Sequence, residues 1–66
     1  MTKKVKVIKF SVKEDTEDQA TKSLTEQINN GCPERYHYKD IVLTNISYDI
    51  SNDIFEGSTW VLFEED

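Results

Sequence analysis

Three segments of this sequence alternate in the manner of β-strands, whereas a single segment has the periodicity of an amphipathic helix. The strand segments carry apolar residues on both faces, but the apolar stripe of the helical segment is narrow. A helix with such a stripe can cover one face of a sheet and no more. The sequence therefore predicts one domain, residues 1–66, with a single sheet covered on one side.

The helix is predicted over residues 17–29. Thr16 and Gln19 have the spacing of a capping box, and acidic residues follow in the first turn, where the helix dipole favours them. The sequence Asn30–Gly31 predicts a left-handed C-cap, and Pro33 prevents continuation of the helix. The apolar stripe of this helix consists of Ala20, Leu24 and Ile28.

The strands are predicted at residues 4–12, at residues 41–50 with an extension back to Tyr36, and at residues 59–64. Residues 51–58 are rich in turn formers. The apolar residues divide between the two faces of each strand as follows: Val5 and Val7 opposite Ile8, Phe10 and Val12; Val42, Ile46, Tyr48 and Ile50 opposite Ile41 and Leu43; and Trp60 and Leu62 opposite Val61 and Phe63.

The order of these elements, β-α-β-β, predicts an α+β fold. A helical crossover makes the first two strands parallel, and the third strand, apolar on both faces, fits between them and antiparallel to both. We therefore predict a three-stranded antiparallel sheet in the order 2-3-1, with one helix packed on one face. The other face would expose apolar side chains, which predicts a homodimer or higher homo-oligomer packed sheet to sheet or through edge strands.

The small size of the chain excludes several classes of function. With 66 residues, one cysteine and one histidine, it can form neither an internal disulfide nor a structural zinc site, so oligomerisation is the open route to stability. Gly-rich phosphate loops and calcium loops are absent from the sequence, and no cofactor is predicted. We find no apolar run of about 18 residues and no signal-peptide pattern, so we expect a cytoplasmic protein without a membrane anchor.

Charge is distributed unevenly along the chain, whose net charge is −5. The first acidic residue, Glu14, follows a lysine-rich segment. One interpretation is a solvated acidic protein whose lysines protect an edge strand. The other is an acidic surface that docks on a basic protein partner. Nucleic-acid binding is not expected, because the net field repels phosphates. The lysines of the basic segment are Lys3, Lys4, Lys6, Lys9 and Lys13.

Seven residues are candidates for binding a partner. Four aromatic residues could act as anchors, and three acidic residues near the predicted hairpin could form a rim around them. Packing of the tyrosines within the domain is the competing interpretation. Cys32 and His37 could suggest a thiolate–imidazole pair, but a helix C-terminus disfavours a thiolate. The seven candidates are Tyr36, Tyr38, Phe55, Trp60, Asp49, Asp53 and Glu56.

The opening KVKVIKF, followed by an acidic helix start, resembles the dodecins, small flavin-storing proteins with a strand, a helix and two strands. Tyr36-His37-Tyr38 lies near the place of that family's flavin-stacking aromatic residue, which implies flavin binding between subunits. The segments EQIN, IVLTNISYDI and WVLFEE are similar to small sporulation-associated proteins of bacilli. In size and acidity, the chain also resembles phage-encoded inhibitors of host enzymes or defence systems, which implies action in the host cytoplasm.

Two hypotheses about function follow. The first is a non-catalytic, homo-oligomeric protein-binding module, such as a phage or mobile-element inhibitor or regulator that occludes the surface of a host (defence) protein. Its partners would be further copies of itself and another protein with a basic surface. The alternative is a dodecin-like protein that binds or stores a flavin. No constellation of residues supports an enzyme.

Overall fold

A computed structural model describes residues 2–66 of the chain. These residues form β1 (Val5–Glu14), α1 (Glu17–Asn30), β2 (Tyr36–Asp49) and β3 (Ile54–Glu65). The strands make one antiparallel sheet in the order β1-β3-β2. The predicted α+β class, the element order β-α-β-β and the central position of the third strand are therefore confirmed.

The helix α1 begins as its sequence predicts. The Thr16 hydroxyl accepts a hydrogen bond from the backbone N–H of Gln19 at 3.1 Å, which satisfies one of the free donors of the first turn. Ala20 and Leu24 are buried and Ile28 is half-buried, so the predicted stripe is the face that packs on the sheet. The helix lies against β1 and β3.

The C-terminus of α1 differs from its prediction. Gly31 has φ −99°, so the predicted left-handed C-cap is wrong. Its N–H instead donates to the Gln27 carbonyl at 2.7 Å, which prolongs the helical hydrogen bonding. Glycine is required here by space: a Cβ would lie 2.5 Å from the Phe10 ring and 2.8 Å from the Gln27 oxygen. The close approach of the chain to Phe10 therefore explains this glycine.

The core lies between α1 and the β1–β3 pair. Leu24 sits over Gly57 of β3, where a Cβ would come within 3.0 Å of its Cδ1 atom. Phe10 meets Phe63 edge-on, with ring centroids 6.4 Å apart. The fully buried or nearly buried apolar residues are Val12, Ala20, Leu24, Val61 and Phe63.

A polar residue, Thr59, is buried in the middle of this core. Its hydroxyl donates to the Leu43 carbonyl at 3.2 Å and lies 3.0 Å from the Thr44 hydroxyl. These contacts satisfy a group whose burial without partners would be costly. They also tie the middle of β2 to β3.

Strand β2 contains two irregularities of register, between Tyr38 and Asp40 and between Ile41 and Leu43. Each inserts an unpaired residue, and a shift by one residue moves a side chain to the other face. Ile41 therefore lies on the helix side with Tyr38, and its predicted position on the same face as Leu43 is wrong.

Two further face predictions on β2 are corrected. Val42 occupies the second irregularity and is exposed, so it does not share a face with Ile46. Ile50 lies in the turn after the strand and is 83% exposed. Because the two insertions cancel, Tyr36 and Tyr38 do share a face with Ile46, as the sequence predicts.

Strand β3 is longer than predicted. It begins at Ile54 rather than at residue 59, because residues 54–58 pair with β2 and residues 55–58 also pair with β1. The turn is confined to residues 50–53, where Asp53 has φ 51°, a left-handed conformation that Asp tolerates. Strand β1 likewise extends to Glu14, through residues that the sequence places in a polar loop.

We expect Leu24→Ala to lower the free energy of unfolding by about 2–5 kcal/mol, the usual cost of truncating a buried leucine. Leu24 is 4% exposed and packs with Ala20 of α1 and Val12 of β1, so its truncation leaves a cavity in the core. That cost is comparable to the whole stability of a domain this small. Thermal and urea denaturation measure it. Lys22→Ala, at an exposed position of the same helix, is the control; equal midpoints for the two variants would contradict the packing described here.

Candidate functional site

The helix covers two strands of the sheet and leaves the third open. It packs against β1 and β3, so the side chains that β2 directs to the same face have no helix above them. Tyr38, Ile41 and Tyr48 are each about half exposed on this side. An apolar groove therefore runs between α1 and β2, which we call the α1–β2 groove.

Two adjoining cavities of about 400 Å³ and 120 Å³ form the α1–β2 groove. They share Thr25, Ile28 and Ile41. Cys32 and Tyr38 line the first cavity, and Thr21 and Ile46 line the second. The threonines on its helix wall and the apolar residues on its sheet wall make the groove suitable for a ligand with mixed polar and apolar contacts.

The segment Tyr36-His37-Tyr38 is divided by the alternation of the strand. Tyr38 opens into the α1–β2 groove, whereas Tyr36 is half-buried beneath Lys6, whose ammonium lies 4.8 Å from the ring centroid. His37 points to the opposite face. Its Nδ1 lies 2.8 Å from an Asp66 oxygen, and its Nε2 lies 3.6 Å from a Glu64 oxygen.

Cys32 and His37 are held by different partners. The Cys32 thiol donates to the Tyr36 carbonyl at 3.1 Å, on the side of the groove, while His37 lies between carboxylates on the other side. The contacts of the two residues therefore do not assemble a thiolate–imidazole pair. Cys32 is exposed.

The face of the sheet opposite α1 has no covering element in the described structure, and we call it the uncovered face. Register places apolar side chains from all three strands together at one end of it. Trp60 is at the centre, with the Lys9 ammonium 5.0 Å from its ring centroid. The other apolar members are Val5, Val7, Leu43 and Leu62.

The other half of the uncovered face is polar. Ser58 of β3 lies between Ser11 and Asn45, and Glu56 lies between Lys13 and Ser47. The Lys13 ammonium is 3.6 Å from a Glu56 oxygen, in an exposed ion pair. Such pairs contribute little to stability, so this half of the face remains available for other charged contacts.

The structure brings two acidic segments of the sequence, the start of the helix and the β2–β3 turn, to one end of the molecule. The end of β1, the start of α1 and the β2–β3 turn lie at the same end of the strands, because Glu14 pairs with Phe55 next to that turn. Lys13 provides a positive charge nearby. We call this region the acidic end; its members are Glu14, Asp15, Glu17, Asp18, Asp49, Asp53 and Glu56.

Hydrogen bonds order the carboxylates of the β2–β3 turn. The Tyr48 hydroxyl donates to Asp53, and this bond raises the pKa of Tyr48, because ionising the phenol would lose the bond and place two negative charges together. The Asn52 amide donates to Asp49 at 2.8 Å, and this bond lowers the pKa of the Asp49 carboxyl. Tyr48 also packs against Phe55, with ring centroids 5.0 Å apart.

The seven predicted partner-binding residues do not form one site. Tyr38 and Phe55 are both on the helix side, but their positions along β3 differ by about 27 Å at 3.4 Å per residue. Trp60, Glu56 and Asp49 belong to the uncovered face, and Asp53 lies in the turn. The structure thus separates the candidates into the groove, the uncovered face and the acidic end, with Tyr36 and Tyr38 at the far end of β2.

Sequence reasoning missed the groove residues Ile41 and Ile28 and the role of Tyr48. Ile41 reaches the groove through the irregularities of β2, for which the sequence has no clear signal. The sequence places Ile28 in the apolar stripe, but its half-buried position next to β2 depends on where the helix packs on the sheet. The Tyr48–Asp53 bond depends on the tight turn, which the sequence indicated only as a turn-rich segment.

Two negative findings apply to residues 2–66. They contain no group of three or more His, Cys, Asp or Glu side chains arranged to hold a metal ion. They also contain no helix with the length and apolar character needed to cross a bilayer.

Comparison with known proteins gives no match: no family model, no curated protein and no solved structure is significantly similar to this chain. The resemblances to dodecins, to sporulation-associated proteins and to phage-encoded inhibitors therefore stay predictions.

We expect Tyr48 to ionise above the ordinary tyrosine pKa, and Asp53→Asn to lower the pKa of Tyr48. The raised pKa of Tyr48 means that this bond stabilises the fold below the ordinary tyrosine pKa of about 10 and that its contribution is lost as pH rises through the raised value. The ultraviolet absorbance of the phenolates follows the titration. Asp40→Asn, remote from Tyr48, is the control, and identical titrations of wild type and Asp53→Asn would refute the assignment.

Proposed function

We propose that this chain is a non-catalytic, self-associating protein-binding module that recognises a partner with a basic surface. Binding would occlude the partner's surface, the mode of action of an inhibitor or regulator encoded by a phage or mobile element. The observation that carries this proposal is the presence of two separate apolar surfaces, the α1–β2 groove and the uncovered face, on one small sheet.

The shape of the chain supports self-association. The Cα atoms extend over 49 × 17 × 13 Å with a radius of gyration of 13.5 Å. A compact domain of the same length has a radius of about 11 Å. A chain of this length buries a smaller fraction of its surface when it folds alone than a longer chain does. Association of two or more copies would raise that fraction.

The α1–β2 groove and the acidic end support recognition of a basic partner. The groove runs along β2 toward Tyr48, and Tyr48 is bonded to Asp53 at the acidic end. Apolar side chains of a partner could enter the groove while its Lys or Arg side chains meet the carboxylates. Apolar anchors then supply affinity, and the field of the acidic end accelerates encounter.

We expect the protein to have a molar mass of at least two chains, against 7.7 kDa for one, at micromolar concentration. It exposes apolar side chains on both faces of its sheet, and exposed apolar surfaces of this kind mark sites of association. Light scattering coupled to size exclusion measures the mass. A single-chain mass together with a cooperative thermal transition would overturn the self-association in this proposal.

We expect Tyr38→Ala and neutralisation of the acidic end to weaken partner binding in different ways. Tyr38→Ala removes contact area and should mainly raise the dissociation rate. The triple variant Asp49→Asn, Asp53→Asn and Glu56→Gln should mainly lower the association rate and reduce its dependence on salt. The measurement is surface plasmon resonance with the protein that immobilised wild type captures from a lysate of the source cell.

Glu34→Gln, an exposed change at the other end of the molecule, is the control for the triple variant. Partner binding that is indifferent to salt, with wild-type association of the triple variant, would assign these carboxylates to solubility alone. The melting curve of Glu34→Gln should coincide with that of wild type, since exposed charges contribute little to stability. The triple variant should melt slightly lower, because it alters the Tyr48–Asp53 bond and the hydrogen bonds that Asp49 accepts in the turn.

Flavin binding is the alternative function, and one observation favours it. The larger cavity of the groove, about 400 Å³ with Tyr38 in its wall, falls within the size range of small-molecule pockets. A yellow purified protein, or quenching of riboflavin fluorescence that Tyr38→Ala abolishes, would support this alternative over protein recognition.

A further inference from the structure

We propose that two copies of the chain pack uncovered face against uncovered face, about a two-fold axis that runs parallel to β3. This inference rests on the self-association in the proposed function and assigns its surface and its symmetry. It leaves the α1–β2 groove free for the other partner.

The surface area of the chain matches a protomer of a small dimer. Its accessible surface is 4961 Å². A compact monomer of this mass exposes about 4,300 Å². The excess of about 600 Å² is close to the 600–800 Å² that each partner buries in small, stable interfaces. Contact with a second copy over that area would lower the accessible surface of each chain to the value of a compact monomer.

The apolar end of the uncovered face is the surface best suited to this contact. Trp60 lies at its centre, flanked in register by Lys9 and Leu43, and the next pair along the strands is Val7 with Leu62. Val7 and Leu43 are 54% and 56% exposed, so their burial would remove apolar surface that the single chain leaves in water. Trp60 has Leu43 and Leu62 beside it and the charged Lys9 and Asp40 at the borders, which matches the apolar core and polar rim of an interface.

Two other modes of self-association fit the structure less well. Sheet extension through β2 would have to pair a strand with two irregularities of register, and the free edge of β1 is rich in lysines. Filling the α1–β2 groove with the α1 helix of a second copy would bury the outer side of that helix, which is polar and exposed.

Charge selects the direction of the symmetry axis. With the axis parallel to β3, each β1 lies over β2 of the second copy. Lys9 then faces Leu43 of the second copy, and the next β2 residue on that face is Asp40. Likewise, Lys13 faces Ser47 of the second copy, and the next β2 residue on that face is Asp49. That offset is about 7 Å along a strand, within the reach of a lysine side chain. The lysines of each copy thus meet carboxylates of the other.

An axis perpendicular to the strands would instead place β1 over β1. The lysines of the two copies would then face one another, and the apolar end would overlap the polar half of the second copy unless the sheets were displaced. Like charges in contact oppose association. The parallel axis sets Glu56 and Glu64 of β3 over the same residues of the second copy, but Lys13 and Lys39 of the same chain lie 3.6 Å and 4.0 Å from these carboxylates and offset their charge. The parallel axis therefore remains the arrangement that the lysines of β1 and the carboxylates of β2 favour.

The test uses one pair of substitutions on opposite faces of β2. Leu43→Lys places a charge against Lys9 of the second copy, and it should weaken the dimer by about 100-fold or more, the ratio for an uncompensated buried charge. Ile41→Lys is the matched control, because Ile41 is 44% exposed on the helix side of the same strand. Sedimentation equilibrium gives the dissociation constants, and circular dichroism confirms folding.

The double variant Leu43→Lys with Lys9→Glu tests the symmetry, because under the parallel axis the two changed residues of different copies face each other. We expect it to recover at least about tenfold of the lost affinity, equivalent to one favourable charge pair. Trp60, the single tryptophan, provides a second readout: its emission should shift to the red on dilution of the wild type and be red at all concentrations for Leu43→Lys.

Each result decides a different point. A wild type that is monomeric at all concentrations overturns both the self-association and this inference. A dimer that Ile41→Lys disrupts and Leu43→Lys does not overturns the assigned face but leaves the proposed function intact. Loss of the dimer in Leu43→Lys without recovery in the double variant overturns the symmetry. If Leu43→Lys fails to fold, Val7→Glu, opposite Asp40 of the second copy, carries the same expectation.

Discussion

The packing of α1 on the β1–β3 pair determines how the other parts of the molecule are arranged. Leu24 lies over Gly57, where the missing side chain lets the helix approach the sheet, and Ala20 and Val12 complete the contact. The stripe that makes this contact is narrow, so one helix can serve two strands. Because the helix packs on β1 and β3, no helix covers β2, and this leaves the α1–β2 groove open. Because the structure contains a single helix among its described residues, the opposite face of the sheet is uncovered as well.

The central strand β3 holds this arrangement together. It pairs along its whole length with β2 and along nearly all of it with β1. It supplies buried residues to the helix side and Trp60 to the uncovered face. Thr59 connects the middle of the sheet to β2 through its hydroxyl. The two apolar surfaces therefore lie on opposite faces of one sheet, and a substitution on one face can leave the other unchanged.

The acidic residues and the exposed apolar residues cluster in different regions of the molecule. The acidic end forms where β1, α1 and the β2–β3 turn meet, away from Trp60 and the apolar end of the uncovered face. Lysines of β1 and carboxylates of β2 lie on opposite borders of the uncovered face. This separation allows one surface to bind a second copy through complementary borders while another attracts a basic partner.

The elements that can be predicted from the amino-acid sequence are those whose signals are local. The Thr16 cap and the 3.6-residue spacing of Leu24 and its neighbours specify the helix, because those interactions lie within a few turns of the chain. The double-sided apolar pattern around Val61 specified the central strand. The tertiary structure decided what depends on pairing between distant segments: the irregularities that turn Ile41 to the groove, and the early start of β3. It also decided which candidates share a surface, since side chains about 27 Å apart along one strand cannot contact the same small ligand.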